Sequence, residues 1–250
     1  MRYFVEFSYF GKGYHGWQNQ PNAITVQQVL ETAITTLLRE KIALVGAGRT
    51  DAGVHAKQMY AHFDSDKIQD PLKLTYRLNA FLPEDIAVCS IFEVAAEAHA
   101  RFDASERTYE YWIVQRKNPF LYDFSHYMRY PLDVASMNNV ASILSEYDDF
   151  ECFSKSNTDV KTYRCAIKRA VWEHRKDKLV FTITADRFLR NMVRAIVGTL
   201  LEVGMGKSNL EDVKSIINSK DRSKAGASVP AKGLYLTSIL YPEKITKKHG

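Results

Sequence analysis

The sequence predicts an α+β fold in which the order βαββαβ occurs twice. Apolar and polar residues alternate over residues 2–9, and a helical apolar pattern follows from Thr25. The second half repeats this order with little sequence identity, beginning with a strand over 108–115. This order is ferredoxin-like. We therefore expect two such units forming an extended antiparallel sheet with helices on one face.

Each element of the first half has a local signal. Tyr3, Val5 and Phe7 alternate with polar residues, which is typical of a strand with one buried face. Thr25 precedes the first helix as an N-cap, with Gln28 at the position of a capping box. The remaining predicted elements are strands 42–47 and 54–63, a helix from Asp70-Pro71 to Phe81, and a strand over 86–94.

The second half continues without a low-complexity linker, and we place the domain boundary after Ala104, giving domains 1–104 and 105–250. The C-terminal domain is expected to complete a cleft formed by the two sheets. Its predicted elements are strands 108–115, 165–174, 179–185 and 234–241 and helices 134–146, 188–203 and 210–218.

Composition is that of an ordinary folded protein, with 46% hydrophobic and 25% charged residues. Apolar runs are interrupted well before the roughly 20 residues that cross a bilayer, and the N-terminus lacks a secretory pattern. We expect a cytoplasmic protein without membrane contact. The formal charge of +5 is compatible with a polyanionic partner.

Metal and disulfide chemistry are not expected. The cysteines, Cys89, Cys152 and Cys165, are odd in number and far apart, so we expect reduced core residues. Strand alternation places His55 and His62 on opposite faces, which argues against a metal site there.

One loop carries the most informative group. Asp51 lies between Gly48 and Gly53, with Arg49 two residues before it. The glycines permit a tight turn and close approach of a ligand, so Asp51 is a candidate nucleophile. The alternative is a surface turn with a weak Arg-x-Asp ion pair.

Aromatic and basic residues alternate in three segments, namely 14–18, 101–102 and 107–112. Such mixtures stack on unpaired bases and hold phosphates, although half-buried strand aromatics give the same pattern. Tyr109 shares a strand face with Arg107 and Tyr111.

In the predicted helix 188–203, Arg190 and Arg194 lie one turn apart on one face. Both could be solvated, or one could pair with a buried carboxylate and lower its pKa.

Together these segments resemble the TruA family of tRNA pseudouridine synthases over nearly the whole chain. The motifs are Tyr14–Gln20, Gly48–Ala56, Leu82–Ile86, His99–Phe102, Arg107–Tyr111, Asn191–Gly198 and Gly233–Leu236. Ala98 departs from the family, which often has phenylalanine before the histidine, and this affects a packing position.

The resemblance implies the pseudouridine synthase fold and isomerisation of uridine to pseudouridine at tRNA positions 38, 39 and 40 in the anticodon stem-loop, without metal or cofactor. It implies Asp51 as nucleophile and Arg194 as its charge partner. Arg49 would help displace the base and hold RNA, and Tyr109 would stack on the base.

The resemblance further implies a homodimer with tRNA lying across both subunits. Candidate phosphate contacts are Lys12, Arg101, Arg107 and Arg190, each of which is equally compatible with a solvated charge. Two other functions remain open. One is RNA binding without catalysis, and the other is a carboxylate-dependent hydrolase, for which the motif offers no second acid.

Overall fold

The structure, a computed structural model, describes residues 1–156 and 160–246. Its strands are β1 (Arg2–Tyr9), β2 (Val45–Gly46), β3 (His55–Asp64), β4 (Ile86–Val94), β5 (Glu106–Val114), β6 (His126–Tyr127), β7 (Ile167–Arg175), β8 (Lys178–Ala185) and β9 (Leu234–Leu240). Its α-helices are α1 (Val26–Leu38), α2 (Pro71–Phe81), α3 (Val134–Ser142), α4 (Met192–Gly204), α5 (Leu210–Ser219) and α6 (Glu243–Thr246). The predicted α+β class is confirmed.

The chain forms two compact units. The first consists of Met1–Glu106 together with the chain from Leu236 onward, and the second is Arg107–Tyr235. In the first unit the strand order is β4-β1-β3-β9, with β2 paired to β3. In the second it is β5-β8-β7, with β6 parallel to β5. The division into folding domains 1–104 and 105–250 stays a prediction.

Strand β1 is central to the first unit. Val5 lies opposite Ala61 of β3 and Ile91 of β4, both antiparallel. Tyr3, Val5 and Phe7 are buried, as predicted. Phe4 on the other face is buried as well, because the rings of Tyr60 and Tyr241 pack against it. The strand therefore has two covered faces at this point.

The predicted strand over 42–47 is wrong in extent, since β2 covers only Val45–Gly46. Ile42 and Leu44 are buried, but their amides donate to side chains of α1, to Thr35 Oγ1 at 3.1 Å and to Glu31 Oε1 at 2.8 Å. Because these two backbone amides already donate to side chains of α1, they do not form the hydrogen bonds of a β-strand.

The predicted helix 188–203 begins four residues late, at Met192. Asn191 has a left-handed backbone with φ of 67°, a conformation that asparagine tolerates but that does not continue a helix. Arg190 therefore precedes α4, and the prediction that Arg190 and Arg194 share a helical face is wrong. The helix predicted over 134–146 ends at Ser142 and continues as a 3-10 helix to Glu146.

Two simpler expectations have mixed outcomes. Cys152 and Cys165 are buried and unpaired, whereas Cys89 is exposed because β4 alternates and Cys89 lies on its outer side. Within the described part of the chain, every helix is too short or too polar to cross a membrane.

Candidate active site

Asp51 lies in a tight turn of residues 51–54 that leads into β3. The Asp51 carbonyl accepts a hydrogen bond from Val54 N at 3.2 Å. Gly53 has φ of +78°, a conformation that most residues avoid and that a turn of this kind requires at its third position. We call residues 51–54 the Asp51 turn. The expectation of a glycine-dependent turn is confirmed at Gly53.

Gly48 has a different role from Gly53. A Cβ added at Gly48 would meet no described atom within 4 Å, so packing does not explain glycine there. This space beside the turn is compatible with the close approach of a ligand.

The last residue of β1 and the residues that follow it hold the Asp51 turn. The hydroxyls of Tyr9 and Thr50 share a hydrogen bond of 2.8 Å, and Trp17 N donates to Thr50 O at 3.3 Å. Gly53 N donates to Tyr14 O at 3.3 Å. These contacts fix the backbone on both sides of Asp51. We call residues 9–17 the support segment.

Gly16 shows how closely the support segment approaches. It has φ of +87°, and an added Cβ would lie 2.3 Å from Thr50 O. Tyr14 and Trp17 are buried, with Trp17 stacked on Phe7 at 5.2 Å. The interpretation of these two rings as a base-stacking surface is therefore wrong, and the motif serves to support the backbone instead.

The Leu82–Ile86 motif contributes to the same support. Tyr14 Oη donates to Asp85 Oδ1 at 2.5 Å, and Phe10 N donates to Asp85 O at 2.8 Å. Burial, together with this carboxylate, raises the pKa of Tyr14 well above its ordinary value. Tyr14 is thus a neutral hydrogen-bond donor at physiological pH. This link could not be predicted from local patterns, because it joins residues 71 positions apart.

Tyr109 and Arg107 lie on β5 in the second unit, where Tyr109 is opposite Ile183 of β8. The Phe188 ring meets Tyr109 edge-on at 5.2 Å. Arg107 Nη1 donates to Asp186 O at 2.7 Å. The segment after β8 therefore orients both side chains. The sequence did not reveal Phe188 as part of this group, because its pattern placed Phe188 in a helix.

Arg194 lies in the first turn of α4 and is half-buried. Its Nε donates to Val229 O at 2.7 Å, and Val229 N donates to the Arg194 carbonyl at 3.3 Å. Tyr111 Oη donates to the adjacent Pro230 O at 2.9 Å. Burial raises the pKa of Tyr111, and the nearby Arg194 charge opposes this only in part. The guanidinium is thus oriented by the 225–230 segment.

The predicted RNA contacts differ in exposure. Lys12, Arg49, Arg101 and Arg190 are exposed, whereas Arg107 is half-buried. Arg101 lies 5.7 Å from the ring centre of Phe102, which is 75% exposed. An exposed ring beside a guanidinium is suited to base stacking and phosphate contact. Contact of this pair with RNA stays a prediction.

Residues 1–156 and 160–246 contain no cluster of three or more His, Cys, Asp or Glu side chains that could hold a metal ion.

Comparison with known proteins identifies the class. A sequence profile described as tRNA pseudouridine synthase matches residues 7–103 and 147–242, which include Asp51 and Arg194. The chain belongs to the tRNA pseudouridine synthase family.

Individual relatives give the branch of this family. A Parabacteroides distasonis protein named tRNA pseudouridine synthase A is 51% identical over 245 residues, covering 98% of this chain and 97% of the relative. Proteins of the same name from Bacteroides thetaiotaomicron and Thermoanaerobacter pseudethanolicus are 50% and 41% identical, covering 98% and 95% of this chain and 92% and 98% of the relatives. The resemblance to the TruA family is confirmed.

Proposed function

We propose that this protein converts uridine to pseudouridine at positions 38, 39 and 40 in the anticodon stem-loop of tRNA, with Asp51 as nucleophile. Isomerisation of tRNA uridine follows from family membership. The observation that best supports the nucleophile is the Asp51 turn, in which an aspartate is held by backbone hydrogen bonds to the support segment. A fixed nucleophile raises the rate by presenting the carboxylate already oriented.

The reaction begins with access to the base. A uridine stacked in the RNA stem must leave the stack before its glycosidic bond can be reached, and this costs a few kcal/mol. Arg49, exposed beside the turn, is proposed to help displace the base and hold the RNA. Tyr109, oriented by Phe188, is proposed to stack on the displaced uracil.

The chemical step conserves atoms and electrons. The Asp51 carboxylate attacks C1′ of the ribose or C6 of the uracil, and the bond between N1 and C1′ breaks. The electron pair of the broken bond stays on N1, and the uracil turns while confined. A new bond then forms between C5 and C1′, the bond that Asp51 had formed breaks to free the carboxylate, the C5 proton leaves, and N1 takes up a proton. Tyr109 is a candidate relay for the C5 proton.

Arg194 is proposed to keep the Asp51 carboxylate ionised. A positive charge nearby stabilises the anion and fixes its direction. The bond from Arg194 Nε to Val229 O supports this role, because it restrains the guanidinium in one orientation.

RNA binding is proposed for Lys12, Arg101, Arg107 and Arg190, which would contact phosphates. A cytoplasmic location belongs to the same proposal. We also propose a homodimer. Phe120, Tyr122 and Tyr130 are 88%, 70% and 51% exposed, and exposed aromatic surface of this kind is typical of an interaction site.

A transcript assay tests the activity. Unmodified tRNA transcripts that carry uridine at a single position, 38, 39 or 40, are incubated with the protein and probed for carbodiimide-resistant adducts. We expect adducts at each of these positions. Binding of tRNA without any adduct would favour an RNA-binding protein without catalysis, and release of free uracil would favour a hydrolase.

Oligomeric state is tested separately by light scattering during size-exclusion chromatography. We expect the mass of a dimer for the wild type and a smaller mass for Phe120→Asp. A monomer at all concentrations would overturn this part of the proposal.

A further inference from the structure

We propose that His55 is a positioning residue for Asp51: its bond to the Gly11 amide fixes the β3 end of the Asp51 turn. This inference rests on the proposed function, because it assigns His55 a role through the nucleophile.

His55 is the first residue of β3 and is 1% exposed. Gly11 N donates to His55 Nδ1 at 2.9 Å, so Nδ1 acts as an acceptor and carries no proton. The Phe10 ring lies parallel to the imidazole with a centre separation of 4.4 Å. Two consecutive residues of the support segment thus hold the ring, one through its edge and one through its face.

Of these two residues, Gly11 lies directly against the Asp51 turn. A Cβ added at Gly11 would be 2.0 Å from Val54 O and 3.3 Å from Gly53 C. Phe10 is itself anchored through the bond from its amide to Asp85 O. The Gly11 backbone therefore forms a fixed surface on which residues 53 and 54 rest.

The Asp51 turn has two ends, and different groups hold them. Tyr9 and Trp17 bind Thr50, before Asp51. His55 binds Gly11 after the turn, and this bond links the start of β3 to the support segment. Without the acceptor, the buried Gly11 amide would lose its partner, which is unfavourable enough to displace the segment. A shift of that segment carries the Asp51 turn with it.

Two amide variants of His55 separate the effect of the hydrogen-bond acceptor at Nδ1 from the effect of side-chain volume. His55→Asn places an oxygen where Nδ1 stands, whereas His55→Gln places it one bond further out, near the position of Nε2. The readouts are the single-turnover rate at saturating tRNA transcript and the dissociation constant for the same transcript.

We expect His55→Gln to lower the single-turnover rate by roughly 100-fold, the loss associated with a misplacement of about 1 Å. We expect His55→Asn to recover most of that rate. Both should keep a near wild-type dissociation constant, because neither removes an RNA contact. Equal rates for the two variants, whether both high or both low, would overturn the proposal.

His62 provides a matched control on the same strand. It is also buried, and its Nδ1 accepts from the Ala100 amide at 3.1 Å. His62→Gln should destabilise the protein while leaving the single-turnover rate at saturating transcript within about two-fold, because the His62 bond holds Ala100 rather than the Asp51 turn. A 100-fold loss in this control as well would show a general folding effect and contradict the role of His55.

The outcome is independent of the test of the nucleophile. If Asp51→Asn is inactive and His55→Gln is fully active, only the positioning role fails. If Asp51→Asn is active, the proposed nucleophile fails, whatever the His55 variants show.

Discussion

At the scale of single residues, buried polar side chains in this protein act mainly as partners for backbone groups. His62 accepts from Ala100 N, and Tyr241 Oη donates to Ala100 O at 2.5 Å. Ala100 is thereby held through both its amide and its carbonyl. Burial, together with the neighbouring His99 and Arg2 charges, lowers the pKa of His62 to about 4.

This pKa makes the free energy of unfolding depend on pH. The unfolded chain protonates His62 near 6.5, whereas the folded chain resists protonation down to about 4. The contribution of His62 is therefore fully present above pH 6.5 and is lost as the pH falls towards 4, at about 1.4 kcal/mol per pH unit at most.

Urea unfolding at a series of pH values checks this prediction. His62→Asn keeps an acceptor for the Ala100 amide but does not titrate. The free energy of unfolding should fall less steeply with decreasing pH in the variant than in the wild type. Equal slopes would assign the pH dependence to other groups.

At the scale of elements, α4 and the 225–230 segment form one packed assembly. Asn191 Nδ2 donates to Ser228 Oγ at 2.6 Å, just before the helix. Gly226 N donates to Thr199 Oγ1 at 2.9 Å. A Cβ at Gly198 would lie 1.9 Å from Ala227 O, so the segment passes directly over the helix backbone.

Gly198→Ala is expected to destabilise the protein by about 1–3 kcal/mol, the usual effect of overpacking, because neither contacting backbone can move freely. Thermal or chemical unfolding measures this. Gly48→Ala is the matched control, with an expected change within about 0.5 kcal/mol because its new methyl meets no described atom. Equal stabilities for the two variants would contradict the close approach at Gly198.

The elements also show what local sequence determines. The start of α2 was predicted correctly because its signals are adjacent in the chain: Asp70 accepts from Lys73 N at 2.9 Å, and Pro71 occupies the first turn. Strand 42–47 failed because side chains of α1 take its amides. The start of α4 failed because apolar periodicity does not reveal the left-handed Asn191.

The candidate site follows the same rule. The turn at Asp51 could be predicted from Gly53, since a positive φ is a local requirement. The contacts that hold this turn could not be predicted, because Tyr9, Trp17 and Asp85 are distant in sequence from the residues that they bind. The family motifs include these positions but do not indicate that the residues there fix the backbone around Asp51.

At the scale of the whole molecule, the basic surplus of +5 and the exposed cations predict salt-dependent binding of tRNA. The logarithm of the association constant should fall linearly with the logarithm of salt concentration. Filter binding across salt concentrations should show that Arg101→Ala reduces the magnitude of this slope by about 1, as expected for loss of one phosphate contact.

Lys214→Ala is the control for that measurement, because Lys214 is a half-buried cation on α5 that is already paired with Glu211 at 2.8 Å. Its slope should match that of the wild type. Equal slopes for the wild type and Arg101→Ala would remove Arg101 from the phosphate contacts.

The central claim for the whole molecule is that Asp51 is the nucleophile, and the most direct measurement is the single-turnover rate of pseudouridine formation by Asp51→Asn on a bound tRNA transcript. Asparagine has the shape of aspartate but lacks the anion, so we predict retained binding and a rate lower by about 10⁴-fold, a loss typical of removing a catalytic group. Asp66→Asn, which changes an exposed carboxylate paired with the N-terminal amine at 2.7 Å, should keep the wild-type rate. A wild-type rate of pseudouridine formation by Asp51→Asn would contradict the account.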